Sequence, residues 1–305
     1  MAPYPSLDAL MTRTHALADA AGAEVQTYGR SVQGRPLLVV RTPSTRADAP
    51  RVLCSANIHG PEFIGAQVAL GVLASLQQAP LRNEAEVWVA PCLNPDGYAR
   101  TWETGGHGPL SDLRTNANGV DLNRNYPLPS GAPSWLPGAG SPTPGDATFR
   151  GTAPLSEPET ANLDRLCTAQ GFVASANLHS FMGTIIPASV RDRVSFRTYK
   201  ALAKTFAAAQ PTVRYRRLSA RVLDVFTGEQ EDHQHHVHGT WAACIESFPL
   251  TASFGQHLRA PSTFWRFNPR DPAPWVANDV PGVLAFLSAA LRIPHPHAQR
   301  KAPAG

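Results

Sequence analysis

The residue types with the most chemical potential in this chain are His59 and Glu62, in Asn57-Ile58-His59-Gly60-Pro61-Glu62, and His179, in Leu178-His179-Ser180. A His and a Glu three positions apart, set where an apolar strand gives way to a helix, can both turn onto one cation. A distant His can close a set of three and leave a fourth position open. Neutral imidazole and carboxylate suit zinc, and an open fourth position separates a catalytic zinc site from a structural one. Each residue also has a plainer reading. His59 alone is a loop histidine, Glu62 a first-turn acid favoured by the helix dipole, and a short His-x-x-Glu string has little specificity of its own.

Two further segments carry polar groups in unusual settings. In Gly119-Val120-Asp121-Leu122-Asn123-Arg124-Asn125-Tyr126-Pro127 an Arg lies between two Asn residues. A clefted Arg of this kind grips a carboxylate with two parallel charge-assisted hydrogen bonds; the alternative is an Asn-rich turn with a surface Arg. Glu246 interrupts the apolar run Trp241-Ala242-Ala243-Cys244-Ile245-Glu246-Ser247-Phe248. A carboxylate there costs desolvation unless it is paired or its pKa rises, which makes it a general-base candidate. A strand-end Glu facing solvent is the simpler reading.

The elements that must position these residues alternate between apolar runs and helical patterns, which predicts an α/β sheet fold. Strands are expected over Ala23–Tyr28, Pro36–Arg41, Val52–Ala56, Glu86–Pro91, Phe172–Leu178 and Trp241–Ser247. Helices are expected over Glu62–Leu76, Arg191–Ala209 and Val276–Leu291, and after Ser156-Glu157-Pro158-Glu159, where Ser156 can cap and Glu159 complete a capping box. Asn94-Pro95-Asp96-Gly97 reads as a turn. Tyr98 to Arg150 shows little periodicity and reads as a long functional or disordered loop. His59, Glu62 and His179 then fall at or just after strand ends, where open α/β sheets bind ligands.

The 305 residues, 43% hydrophobic and 16% charged, suffice for a large core, and one domain is expected over 1–293 with a frayed tail over 294–305. The net charge of +4 comes without a dense basic block, so nucleic acid is not an expected partner. No apolar run is long enough to cross a bilayer, and no membrane partner is expected. The N-terminus lacks the pattern of a signal peptide and the four cysteines are scattered, three of them in apolar runs, so reduced thiols and a cytoplasmic location are the expectation.

Taken in order, seven segments resemble the zinc carboxypeptidase family. They are Gly29-Arg30-Ser31-Val32-Gln33-Gly34-Arg35, the His59/Glu62 segment, Asn94-Pro95-Asp96-Gly97, Gly119 to Pro127, Ser156 to Glu159, Leu178-His179-Ser180 and the strand carrying Glu246. Most are unspecific singly, but the ordered combination is specific. The resemblance implies a single α/β domain with a mixed, twisted sheet of about eight strands and helices on both faces. It implies that His59, Glu62 and His179 bind one zinc ion, that Asn123 and Arg124 bind a substrate's terminal carboxylate, and that Glu246 is the catalytic base for a metal-activated water. Arg114, in Leu113-Arg114-Thr115-Asn116, best matches the arginine that polarises the scissile carbonyl, with Arg100 as the other candidate.

The implied activity is hydrolysis of an amide next to a C-terminal, carboxylate-bearing residue. An amidohydrolase acting on N-acyl amino acids or on peptidoglycan-derived peptides is the alternative, and a non-catalytic binding domain a distant third. The pattern departs from the family in one respect: no tyrosine stands on the segment before Glu246, Tyr215 lies too early, and Phe181 follows the His-Ser pair. In place of the tyrosine, Glu229 to His238 is rich in acids and histidines. This stretch has three readings: a solvated polar loop or helix, a pocket wall in which Glu229, Glu231 or Asp232 faces an amine-bearing substrate, or a second metal site using His233 and His236 at helical spacing.

Overall fold

The computed structural model describes residues 1–295 apart from 47, 130, 131, 133, 136, 219–226, 250–254, 256 and 257. Among the described residues the sheet has eight strands: β1 (Glu24–Arg30), β2 (Pro36–Thr42), β3 (Arg51–Ala56), β4 (Glu86–Ala90), β5 (Ala174–Ser180), β6 (Thr184–Pro187), β7 (Arg216–Arg217) and β8 (Trp241–Ser247). Their order is β1-β2-β4-β3-β5-β8-β6-β7. The middle of the sheet is parallel: β3 pairs with β4 and β5, and β5 with β8. β1–β2, β2–β4 and β6–β8 are antiparallel, and β6–β7 is parallel.

The parallel strands are apolar and buried on both sides because helices cover both faces. On one face lie α1 (Leu7–Ala21), α2 (Phe63–Ser75), α7 (Arg193–Ala209) and α10 (Ala273–Ala290), around a core that includes Leu10, Val68, Leu73, Phe206 and Phe286. The smaller core on the other face joins Leu53, Trp88 and Phe172 to Leu163 and Leu166 of α6 (Pro158–Gln170). α2 is buried over most of its circumference, as suits a helix apolar all round. All four cysteines are buried and unpaired. No helix among the described residues is long and apolar enough to cross a membrane.

Three local expectations are corrected. Asn94-Pro95-Asp96-Gly97 is no isolated turn but the start of α4 (Pro95–Glu103): Asn94 Oδ1 accepts from Gly97 N at 2.8 Å and Pro95 opens the helix, the favoured place for proline. Tyr98–Arg150 is therefore not all loop; it holds the rest of α4, the short α5 (Leu110–Arg114) and a 3-10 turn, Leu122–Arg124. The capping box before α6 does not form. Glu157 occupies the cap position without a side-chain cap bond. Ser156 Oγ instead donates to Glu157 Oε1, and Glu159 accepts from Val32 N and Asn116 Nδ2. Tertiary partners outbid the local motif. At the other end of the chain His295 is buried, its ring 4.6 Å from that of Trp241; residues 296–305 lie outside the described set.

Candidate active site

The parallel strands β3, β5 and β8 deliver the chemistry to one edge of the sheet. Beyond β3, Asn57 adopts φ 58°, and its Nδ2 donates to the carbonyls of His59 and Gly60 at 2.7 and 3.3 Å, folding the loop back. Gly60 is required by close approach: a Cβ there would lie 2.3 Å from Leu113 O and 2.7 Å from Gly97 O. Gly60 N also donates to Arg114 O, so the loop carrying His59 and Glu62 is seated on the segment carrying Arg114. Asn268, distant in sequence, accepts from Ile64 N and so serves the first turn of α2. On the neighbouring strands, His179 of β5 and Glu246 of β8 are register partners.

His59, Glu62 and His179 converge. Their donor atoms lie within 4.8 Å of one another, and their side chains are 4%, 2% and 2% exposed. His59 Nδ1 is 2.8 Å from Glu62 Oε1, and His179 Nδ1 is 3.1 Å from Glu62 Oε2. Glu62 Oε2 and His179 Nε2 are buried without a hydrogen-bonding partner. On its far side His59 Nε2 is 3.2 Å from Asp121 Oδ1. His59 thus has a carboxylate against each ring nitrogen; burial and Arg114 would lower its pKa, but Glu62 and Asp121 raise it. Two buried imidazoles and a carboxylate with converging donor atoms, one imidazole backed by an outer carboxylate, fit a zinc ion. Burial would raise Glu62, but the imidazoles of His59 and His179 hold it down to about 2.

Glu246 sits beside this set, its Oε2 without a hydrogen-bonding partner. Burial and the negative charge of Glu62 push it up to about 8. Asp121, for which the sequence alone suggests no role, joins the site together: Oδ1 also accepts from Asn123 N at 3.0 Å and Oδ2 accepts from Arg114 Nε at 2.8 Å. Burial would raise its pKa, but Arg114 and His59 hold it well below the usual carboxylate range. Its position in the Asn-Arg segment was the available signal. Arg100, the other candidate for a carbonyl-polarising role, donates instead to the backbone oxygens of Thr115 and Asn116 and supports the Arg114 segment from outside the cleft.

A cleft of about 350 Å³ has His59, Glu62, His179, Glu246, Arg114, Asn123 and Arg124 along its walls, with Phe181, Met182 and Glu229. All seven residues picked from sequence therefore meet in one place. Glu229, one of the three acids expected as candidates for a pocket wall, joins them: Arg124 Nη1 donates to it at 3.0 Å. Tyr215 is buried away from the cleft, its hydroxyl donating to Asp279 Oδ2, and residues 219–226 of the stretch without tyrosine lie outside the described set.

The acid- and histidine-rich stretch is no solvated loop. Gln230 to His235 are buried in α8 (Gln230–His236), docked on the sheet by amides: Gln230 Nε2 donates to Ser55 Oγ and Asn177 Oδ1, and Asn177 Nδ2 donates to Gln234 Oε1. Glu231 and Asp232 do not line the cleft; Glu229 does. His233 and His236 do not converge either, because His236 Nε2 contacts Ser189 O while His233 turns to Asp164.

An eight-stranded mixed sheet, among the described residues, with a buried His-Glu-His set at the carboxyl ends of its central strands defines a metal-dependent hydrolase architecture. The chain belongs to the zinc carboxypeptidase family, whose sequence model matches residues 12–251. It is 29% identical to carboxypeptidase D of Drosophila melanogaster over 221 residues, covering 63% of this chain and 14% of that protein. It is also 29% identical to the human carboxypeptidase N catalytic chain over 201 residues, 61% of this chain and 43% of that one. The chain thus spans less than half the length of either relative. Among solved structures, bovine thrombin-activatable fibrinolysis inhibitor superposes with a TM-score of 0.74 at 20% identity, over 95% of this chain and 98% of that one. That likeness is one of fold.

Proposed function

We propose that this chain hydrolyses the amide bond next to a C-terminal, carboxylate-bearing residue of a peptide, as a zinc-dependent carboxypeptidase. The observation that carries the reading is the union, in one cleft, of a His59–Glu62–His179 donor set with Glu246 and with Arg114 and Arg124. Bound zinc supplies a Lewis acid that polarises the carbonyl and makes water acidic near neutral pH. Glu246 takes the proton of the attacking water and returns it to the leaving amine. Arg114, kept charged and oriented by Asp121, faces the oxyanion that develops at the carbonyl; one such donor is typically worth about 3 kcal/mol. Arg124 and Asn123 bind the terminal carboxylate, which restricts cleavage to the chain end.

Glu229 refines the substrate class. Without substrate it neutralises Arg124. A terminal carboxylate that takes over Arg124 sets two carboxylates against one guanidinium, and an amine or guanidine on the substrate restores the balance of charge. The favoured substrates are therefore peptides ending in a cationic residue, including diamino acids.

A panel of peptides with Lys, Arg, diaminopimelate, Leu and Glu at the C-terminus, with carboxyl-amidated forms and N-acyl amino acids, tests the reading. Release of the last residue from free-carboxylate peptides only, in a zinc-dependent manner, is the expected result. Equal cleavage of amidated peptides overturns the carboxypeptidase assignment, and turnover confined to N-acyl amino acids replaces it with deacylation.

A further inference from the structure

A second cluster of two imidazoles and a carboxylate lies outside the cleft. It is made by Asp164 of α6, His233 of α8 and His238 just past the end of α8. Gly239, at φ 69°, reverses the chain there, and the rings of His233 and His238 stand edge to face, 5.0 Å between centroids. Their Nε2 atoms converge on one oxygen: Asp164 Oδ1 is 2.7 Å from His233 and 2.9 Å from His238. The three donor atoms lie within 4.8 Å of one another. His233 is 5% exposed and Asp164 25%, so the cluster is walled on one side and open to solvent on the other. None of the three lines the cleft.

We propose that Asp164, His233 and His238 form a second metal site, which takes a divalent transition ion of the zinc type and clamps α8 to α6. Two imidazole nitrogens and one carboxylate oxygen are a donor set for such an ion, not for calcium or magnesium, which demand more oxygens. Zinc bonds of about 2.0–2.1 Å would spread the three donors to about 3.3 Å apart. The two contacts to Asp164 are within about 0.6 Å of that, and all three donors already lie within 4.8 Å of one another. The solvent-facing side leaves room for water to complete the coordination. Despite its open position the ion lies away from the reacting atoms: the helix it ties down begins next to Glu229, which partners Arg124, so occupancy of this outer site steadies the substrate-facing wall. The inference needs only the geometry of this cluster, and it stands or falls separately from the carboxypeptidase reading.

Metal content decides it. The full chain is saturated with zinc, freed of unbound ion and analysed for stoichiometry, alongside Asp164→Asn, His238→Gln and His179→Ala. The wild-type protein is expected to hold about two ions, and each single variant about one. Asp164→Asn combined with His179→Ala is expected to hold none. One ion in the wild type, unchanged in Asp164→Asn, overturns the proposal; so do two ions that persist in both Asp164→Asn and His238→Gln, because the second then sits elsewhere. If the variants fold poorly, cobalt added to the wild-type protein with its inner site already filled by zinc gives the readout. Visible absorption of nitrogen-ligated cobalt, with a rise in melting temperature, is expected, and the absence of both overturns the site.

Discussion

The two walls of the cleft are built on different principles. The metal wall hangs from parallel strands: His59 and Glu62 follow β3, and His179 and Glu246 are register partners on β5 and β8. The sheet ladder fixes His179 and Glu246, the loop folded back by Asn57 fixes His59 and Glu62, and Asp121 holds His59 and Arg114 from behind. The substrate wall is assembled from a 3-10 turn, a short helix and loops, and its central contact, Arg124 with Glu229, joins residues 105 positions apart. A ladder sets a donor to within a fraction of an ångström, as coordination requires. Loops and short helices vary at less cost to the fold, so chemistry sits on the strands and selectivity on the loops.

The largest effect expected from this division belongs to the strand wall. Glu246→Gln should lower kcat by about 10²–10⁴-fold, the usual worth of a general base, with zinc content unchanged. Turnover within tenfold of wild type would remove Glu246 from the mechanism. The same substitution has a stability signature in the metal-free protein. Glu246 rises from its ordinary 4.5 to about 8 on folding, so the folded state holds a proton the unfolded chain has released. Its contribution therefore erodes stability as pH rises from about 4.5 to about 8. Denaturant melts across that window should show a shallower pH dependence in Glu246→Gln than in wild type. Identical slopes would mean that the carboxyl is not held protonated.

On the substrate wall, Arg124→Ala should cost about 10²-fold in kcat/KM on peptides with a free C-terminus, the worth of two charge-assisted hydrogen bonds at about 1.5 kcal/mol each. Amidated peptides should lose little. An equal loss on both would show that Arg124 holds the fold of the wall, with no part in reading the carboxylate.

The same contrast explains what could be read from the sequence. Strand-borne residues were legible because apolar runs fix where strands end, and β8 falls where the pattern predicts, Trp241–Ser247. The family order of motifs brought Asn123, Arg124 and Arg114 to the same cleft. The environment of α8 was not legible. Its polar sequence suggested a solvated segment, but Gln230 and Gln234 find Ser55 and Asn177 on strands far away in sequence, and these hydrogen bonds offset part of the cost of burying polar side chains. The cap of α6 failed for a related reason: Ser156 and Glu159 found better partners in Glu157, Val32 and Asn116 than in each other. Local propensity yields wherever a tertiary partner is available.

Behind the strand wall, Asp121→Asn tests whether its order depends on the outer carboxylate. Zinc affinity is expected to fall about 10–100-fold, the usual cost of losing an oriented partner to a metal-binding imidazole. Competition with a chelator of known affinity gives the number. Loss of zinc binding altogether would mean that Asp121 is needed to fold the loop, and unchanged affinity would mean that the strands alone orient His59.

The smallest effect, and the one that bears most directly on selectivity, belongs to Glu229. In the free protein it offsets Arg124, so Glu229→Gln removes a competitor for the guanidinium as well as a counter-charge for the substrate. For neutral C-terminal residues only the first consequence applies, and kcat/KM should stay within a few-fold of wild type. For Lys or Arg at the C-terminus both the lost attraction and the added positive field act in one direction. Preference for cationic over neutral residues should drop about tenfold, corresponding to about 1.4 kcal/mol. The ratio measured in one protein preparation cancels errors in active-site concentration. A ratio unmoved by the substitution would leave Glu229 as a structural partner of Arg124 and return the side-chain preference to Phe181 and Met182, the apolar residues beside it in the cleft.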